Sequence, residues 1–219
     1  MSVAVENFVK TIYQLDVLHH EDTKPGNIAK KLNITNAAAT DMARKLSTKD
    51  LLIYEKYKPL KLTALGEKMA LNVIRKHRLW ESLLFKLFGM SLHDIHREAE
   101  LLEHQTSDLL ANRISAYLGH PKFDPHGDPI PNEDGVITTT DTSVVMSKAI
   151  EGNTYVISRL VSDNKEFFDF CLENGLINGA EIEINKQFST SNMTQITVAK
   201  NTLLLNQDFT DIIYLNEFN

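Results

Sequence analysis

Apolar side chains recur along this chain with two different periods, helical in the first part and alternating in the last. Residues 4–18 place Phe8, Ile12, Leu15 and Leu18 three and four residues apart, which predicts a helix with one buried face. The polar run HHEDTKPGN breaks it, and Pro25 suits the first turn of a second helix through GNIAKKLN. In ITNAAATDMARKLSTKD the alanines favour a third helix, which Thr35 or Asn36 can cap. LLIYEKYKPLKLT then has the alternation of a two-stranded ribbon with KYKP near its turn. Helix, helix, turn, helix and ribbon is the winged helix-turn-helix order.

A long helix is expected over about 64–88, between Thr63 and Gly89, with Leu65, Met69, Val73, Leu79, Leu83, Leu84 and Leu87 along it. Another is expected over about 92–118, stopped by Gly119. HPKFDPHGDPIPNEDG holds four of the six prolines and predicts a loop or linker. From about residue 140, TYVISRLV, AEIEINKQF, MTQITVAKN, TLLLN and DIIYLNEF are short β-rich runs, interrupted by one helix in KEFFDFCLENGL. They predict a small, partly open β-barrel.

A chain of 219 residues has room for two or three units of roughly 60–100 residues each. No uncharged apolar run approaches the ~18–20 residues of a membrane span. The start, MSVAVENFVKTIYQL, lacks the apolar core and cleavage site of a signal peptide, so a cytoplasmic protein is expected. One cysteine, Cys171, excludes an internal disulfide framework and a thiolate-rich zinc site.

The net charge of −6 conceals a gradient. Residues 1–73 hold 11 Lys/Arg and 8 Asp/Glu, a net of +3. Residues 74–135 hold 7 and 10, a net of −3, with six of the eight histidines, and residues 136–219 hold 5 and 11, a net of −6. A mildly basic start joined to a His- and acid-rich middle fits a DNA-binding end attached to something else.

The middle carries the candidate chemistry. On a continuous helix at ~100° per residue, His96, Glu100, Glu103 and His104 of IHREAELLEH fall within about 100° of arc. His77 and Glu81, four apart, share a face of the preceding helix. Carboxylates this close repel, and a divalent cation would relieve the repulsion. Imidazole and carboxylate donors without thiolate suit manganese or ferrous iron, although zinc, nickel and copper bind such a set at least as strongly. A solvated polar face and a hydrolytic or redox centre in a helix bundle are the other readings. No nucleophile motif or phosphate-cradling glycine loop supports an enzyme or a small organic substrate.

At the other end, the second helix of a helix-turn-helix presents its first residues to the major groove. Thr35, Asn36 and Thr40 could donate to phosphates or base edges, and Ala37 and Ala38 could touch thymine methyls. Asp41 could accept from a cytosine amino group, Arg44 and Lys45 could meet phosphate or bases, and Lys56 and Lys58 flank Tyr57 at the wing tip.

The runs KHRLWESLL, IHREAELLEHQTSDLLANRI, GHPKFDPHGDPIP and LENGLINGAEIEI, in this order, resemble the diphtheria-toxin-repressor family of metal-dependent transcriptional repressors, nearest its manganese-responsive three-domain branch. The resemblance implies an α+β architecture. A winged helix-turn-helix domain would occupy 1–64, a helical dimerisation and metal-binding domain 65–135, and a linker with an SH3-like β-barrel 136–219. It implies a homodimer that binds palindromic operator DNA when loaded with Mn(II) or Fe(II), with Zn, Co, Ni or Cd as surrogates. A primary site would use Asn7, Glu100, Glu103 and His104. An ancillary site would use His77, Glu81 and His96 with Asp163 or Glu166. Iron-type members have a cysteine at the position of Glu100, which favours manganese here. Asn7 stands where the family usually has Asp or Met, and Lys10 where two-domain manganese members have a glutamate. Glu6 is expected to face away from the site on a regular helix.

Overall fold

The computed structural model describes residues 2–18, 20–138, 142–162 and 164–218. These form two compact units: Met1–His77 with Glu100–Arg113 and Pro131–Thr138, and Arg78–Ala99 with Ile114–Ile130 and Thr139–Asn219.

The first unit begins with α1, Val3–Tyr13, which continues as a π-helical turn over Gln14–Leu18. Then come α2, Pro25–Lys31, and α3, Asn36–Ser47. Thr35 caps α3, its hydroxyl accepting from the Ala38 N–H at 3.1 Å. Strands β1, Leu52–Ile53, and β2, Lys61–Leu62, pair antiparallel with Leu52 opposite Leu62. Phe8, Ile12, Ile28, Ala39, Ala43, Leu46, Leu60 and Ile74 are buried together, so one core fixes α1 and α3 against the wing.

Helix α4, Ala64–Phe88, starts where Thr63 Oγ1 accepts from the Gly66 N–H and stops before Gly89, whose φ is +59°. A Cβ on Gly66 would lie 1.9 Å from the Leu51 carbonyl oxygen, so only glycine lets the helix start this close to the wing.

The expected single helix over 92–118 is interrupted. The chain forms α5, Leu92–Leu102, a 3₁₀ turn, Glu103–Gln105, and α6, Asp108–Tyr117. Thr106 is extended at φ −87° and ψ 119°, and its hydroxyl donates to the Leu102 carbonyl. Ser107 Oγ then accepts from the Leu110 N–H and restarts the helix. Thr and Ser offer the backbone local bonds that compete with helix continuation, and here the local bonds win.

In the second unit, β3 (Val144–Val145), β4 (Thr154–Leu160), β5 (Glu181–Phe188), β6 (Met193–Val198), β7 (Asn201–Asn206) and β8 (Ile213–Glu217) form one antiparallel sheet in the order β3-β8-β4-β5-β6-β7. Shifts of register between Ile157 and Arg159 and between Ile184 and Lys186 bend β4 and β5. The outer strands β3 and β7 do not pair with each other, so the SH3-like sheet stays open. Helices α7, Lys165–Glu173, and α8, Gln207–Thr210, complete the unit. Phe167, Phe168 and Cys171 on α7 are buried, as are Ile157, Ile184, Ile196 and Leu215 on the sheet.

Candidate metal centre

Within the first unit, α1 and the α5–3₁₀ junction bring charged side chains together. Glu103 is 1% exposed, and a bare carboxylate there would be costly. It is bound on two sides. Lys10 Nζ donates to its two oxygens at 2.9 and 2.8 Å, and His77 Nδ1 lies 2.6 Å from Oε2, while His104 Nε2 lies 3.2 Å from Oε1 without forming a hydrogen bond. The same ammonium donates to Glu100 Oε1 at 2.6 Å. The repulsion expected between Glu100 and Glu103 is therefore relieved by a lysine from α1. One ligand-type atom each from His77, Glu100 and Glu103 lies within 4.8 Å of the others, as a shared ion requires.

Glu6 takes part, contrary to the helical-wheel expectation. Its Oε2 lies 2.6 Å from His104 Nδ1. With that nitrogen protonated toward the carboxylate, the lone pair of the ring sits on Nε2. His104 Nε2 and Asn7 Oδ1 are both buried without a hydrogen-bond partner. Buried polar atoms are rarely left so. His104 Nε2, beside Glu103, and Asn7 Oδ1, on the helix that carries Glu6 and Lys10, are orphaned atoms of metal-ligating type, and such donors fit a divalent cation.

In the second unit two histidines lie close to Glu81 of α4. Glu81 Oε1 lies 3.0 Å from His96 Nδ1 and 3.5 Å from His126 Nε2. His126, in the proline-rich loop, was not singled out from sequence. Both of its ring nitrogens are buried without a hydrogen-bond partner of good geometry. Burial, the largest influence, pulls the His126 pKa down, but Glu81, Asp124 and Asp128 together outweigh it and raise the pKa. Asp124 is pushed well up by burial first, then by the charges of Glu81 and Asp128. Its Oδ1 accepts the N–H groups of His126 and Asp128 at 2.9 Å each, which folds the loop into a turn around Gly127. Of the acids expected to complete this group, Asp163 lies outside the described residues, and Glu166 is exposed in the first turn of α7.

All but one of the residues expected to contact DNA are exposed, on α3 and on the wing of the first unit. Asn36, Ala37, Ala38, Asp41, Arg44 and Lys45 are exposed on α3, next to the exposed cap Thr35. Thr40 is half-buried, and its hydroxyl donates to the Asn36 carbonyl. Asp41 pairs with Lys45 at 2.7 Å, and the Arg44 guanidinium lies 5.8 Å from the centre of the Tyr54 ring. On the wing, Lys56 and Lys58 are exposed beside Tyr57, which is 82% exposed at φ +69°. Among the described residues, no helix is long and apolar enough to cross a membrane.

Comparison with known proteins places these sites in a context. Residues 1–60 match the family described as iron dependent repressor, N-terminal DNA binding domain. Residues 63–132 match iron dependent repressor, metal binding and dimerisation domain. The diphtheria toxin repressor of Corynebacterium diphtheriae is 28% identical over 190 residues, covering 82% of this chain and 83% of that protein. Among solved structures, a manganese-dependent transcriptional repressor in complex with manganese superposes with a TM-score of 0.90 at 26% identity, over 98% of this chain and 100% of that one. The repressor ScaR with bound Cd²⁺ superposes at 0.78 and 31% identity, over 98% and 99%.

Proposed function

Because the chain belongs to the diphtheria-toxin-repressor family of metal-dependent transcriptional repressors, we propose that it is a Mn(II)-activated repressor of metal-homeostasis genes. It acts in the cytoplasm as a homodimer on palindromic operator DNA. The observation that carries this is the pair of orphaned atoms, His104 Nε2 beside Glu103 and Asn7 Oδ1 on α1. Nitrogen and oxygen donors with no thiolate suit Mn(II). Fe(II) is the second reading, supported by the iron-dependent description of both matched families. Zn(II), Co(II), Ni(II) and Cd(II) are expected to bind as surrogates.

Asn7, Glu100, Glu103 and His104 would hold the primary ion, with His77 holding Glu103 in place. A bound divalent cation would supply bonds to the imidazole and amide donors, which the Lys10 ammonium cannot give them. Asn7 belongs to α1, whose buried face packs in the core that also seats α3. Glu103 and His104 belong to the segment matched to metal binding and dimerisation. Ligands drawn from both segments favour the conformers in which α3 is held for operator binding, which couples ion and DNA affinities reciprocally. Such couplings are typically ~1–3 kcal/mol. His77, Glu81 and His96 would form the ancillary group expected from the sequence, with His126, Asp163 or Glu166 as further candidates. Thr35, Asn36, Ala37, Ala38, Thr40, Asp41, Arg44 and Lys45 would meet the major groove, and Lys56 and Lys58 the backbone. Phe85, Leu87 and Phe88 are exposed at the end of α4 and would form part of the dimer interface. The domains 1–64, 65–135 and 136–219 would divide DNA binding, ion binding with dimerisation, and the SH3-like part.

A mobility-shift titration tests the whole. The protein should retain operator-like palindromic DNA in the presence of Mn(II) and release it on chelation, and Glu103→Ala or His104→Ala should bind DNA weakly with or without the ion. Equal affinity in chelator and in manganese would overturn the proposal.

A further inference from the structure

Lys10 is a cation already seated among the anionic ligands. Its ammonium donates to Glu100 Oε1 at 2.6 Å and to the Glu103 oxygens at 2.9 and 2.8 Å. The pair with Glu103 is dry, the side chains being 6% and 0% exposed. An ammonium has three donors, and all three distances are those of charge-assisted hydrogen bonds. Both residues also lie within reach of His77, so the carboxylates turn inward on one centre.

We propose that Lys10 is a built-in competitor for the metal: its ammonium holds Glu100 and Glu103 in the ion-free protein, and an ion binds only by displacing it. This deepens the metal-site reading above and rests on it. Without a cation the buried Glu103 carboxylate and the half-exposed Glu100 carboxylate would repel one another. With Lys10 in place, α1 stays joined to residues 100–103 before any ion arrives. The ion therefore exchanges with a positive charge rather than filling an unbalanced pair. Removing one partner of a buried ion pair leaves the other strongly destabilised, so displacement of the ammonium opposes ion binding. Lysine can do this reversibly because its charge rides on a flexible four-carbon stem that can withdraw without moving the helix. Lys10 thus raises the free-ion concentration at which the protein responds.

The experiment compares Mn(II) affinity, by calorimetric titration of the full chain near neutral pH, between wild type and Lys10→Met, which keeps the stem and removes the charge. Lys10→Met should bind Mn(II) at least about tenfold more tightly, while its ion-free form melts at a lower temperature than ion-free wild type. Unchanged or weaker affinity would overturn the competitor role, because a lysine that merely braces the site predicts loss. If Lys10→Met does not fold, the decision passes to wild type: acylation of Lys10 by an N-hydroxysuccinimide ester, read by peptide mass spectrometry, should rise severalfold on adding Mn(II). Constant labelling would reject displacement. If wild-type protein takes up no Mn(II) at all, the metal-site reading itself fails, an outcome distinct from wild-type binding that Lys10→Met leaves unaltered.

Discussion

Glu6 and His104 are ninety-eight residues apart in sequence, and Glu6 Oε2 sits 2.6 Å from His104 Nδ1. The contact ties the 3₁₀ turn to α1 and leaves Nε2 as the ring atom facing the unsatisfied part of the site. Carboxylates behind ligating imidazoles typically contribute 10–100-fold to metal affinity. Glu6→Ala should therefore weaken Mn(II) binding by roughly 10–100-fold, measured by titration, while leaving the helical circular dichroism signal intact. Full affinity in this variant would show that Glu6 does not orient the ring.

Arg44 lies exposed in the second half of α3. Arg44→Ala should weaken operator binding and lower the slope of log affinity against log salt by about 0.9 if it meets a phosphate. Mn(II) affinity of the free protein should not change, because coupling through DNA is absent there.

Gly127 has φ +93°, and a Cβ there would lie 1.8 Å from the Ser158 carbonyl oxygen. The Asp124 turn thus passes directly over strand β4. Gly127→Ala should destabilise the protein by roughly 2 kcal/mol or more, combining backbone strain with a clash against main chain. Chemical denaturation reads this, and a loss below about half a kcal/mol would contradict the close approach.

Burial pushes the Cys171 thiol up to about 12 from 9.0. Because the folded pKa lies above the unfolded one, the thiol's contribution to stability is present below pH 9.0 and is lost as pH rises toward about 12. Native protein at mildly alkaline pH should resist alkylation by iodoacetamide, and denaturant should make the thiol react at once. Rapid labelling of folded protein would contradict this burial.

The bounds of α4 were legible because both ends carry strong local signals, the Thr63 cap and Gly89. The strands after residue 140 were legible because β4, β5 and β6 alternate buried and outward positions. The break at Thr106 was not, since helical periodicity on either side masks a residue that leaves the helix through its own hydroxyl. Glu6 was passed over for a different reason. A helical wheel records directions from the axis but not the reach of a glutamate. His126 belongs to a loop without periodicity, where the available signal was an imidazole between two aspartates in DPHGD. The role of Lys10 lay in a pairing ninety residues away in sequence, which no local pattern reports.

The extended conformation of Thr106 has a consequence for how the protein senses its ion. In an unbroken rod, neighbours such as Glu103 and His104 would diverge by ~100°. The 3₁₀ turn spreads the pair to ~120°, so Glu103 meets Lys10 and His77 while His104 reaches Glu6, and recognition is lodged in a discontinuity of the backbone. A substitution that restored regular winding there would leave every donor in place chemically and still deafen the receptor.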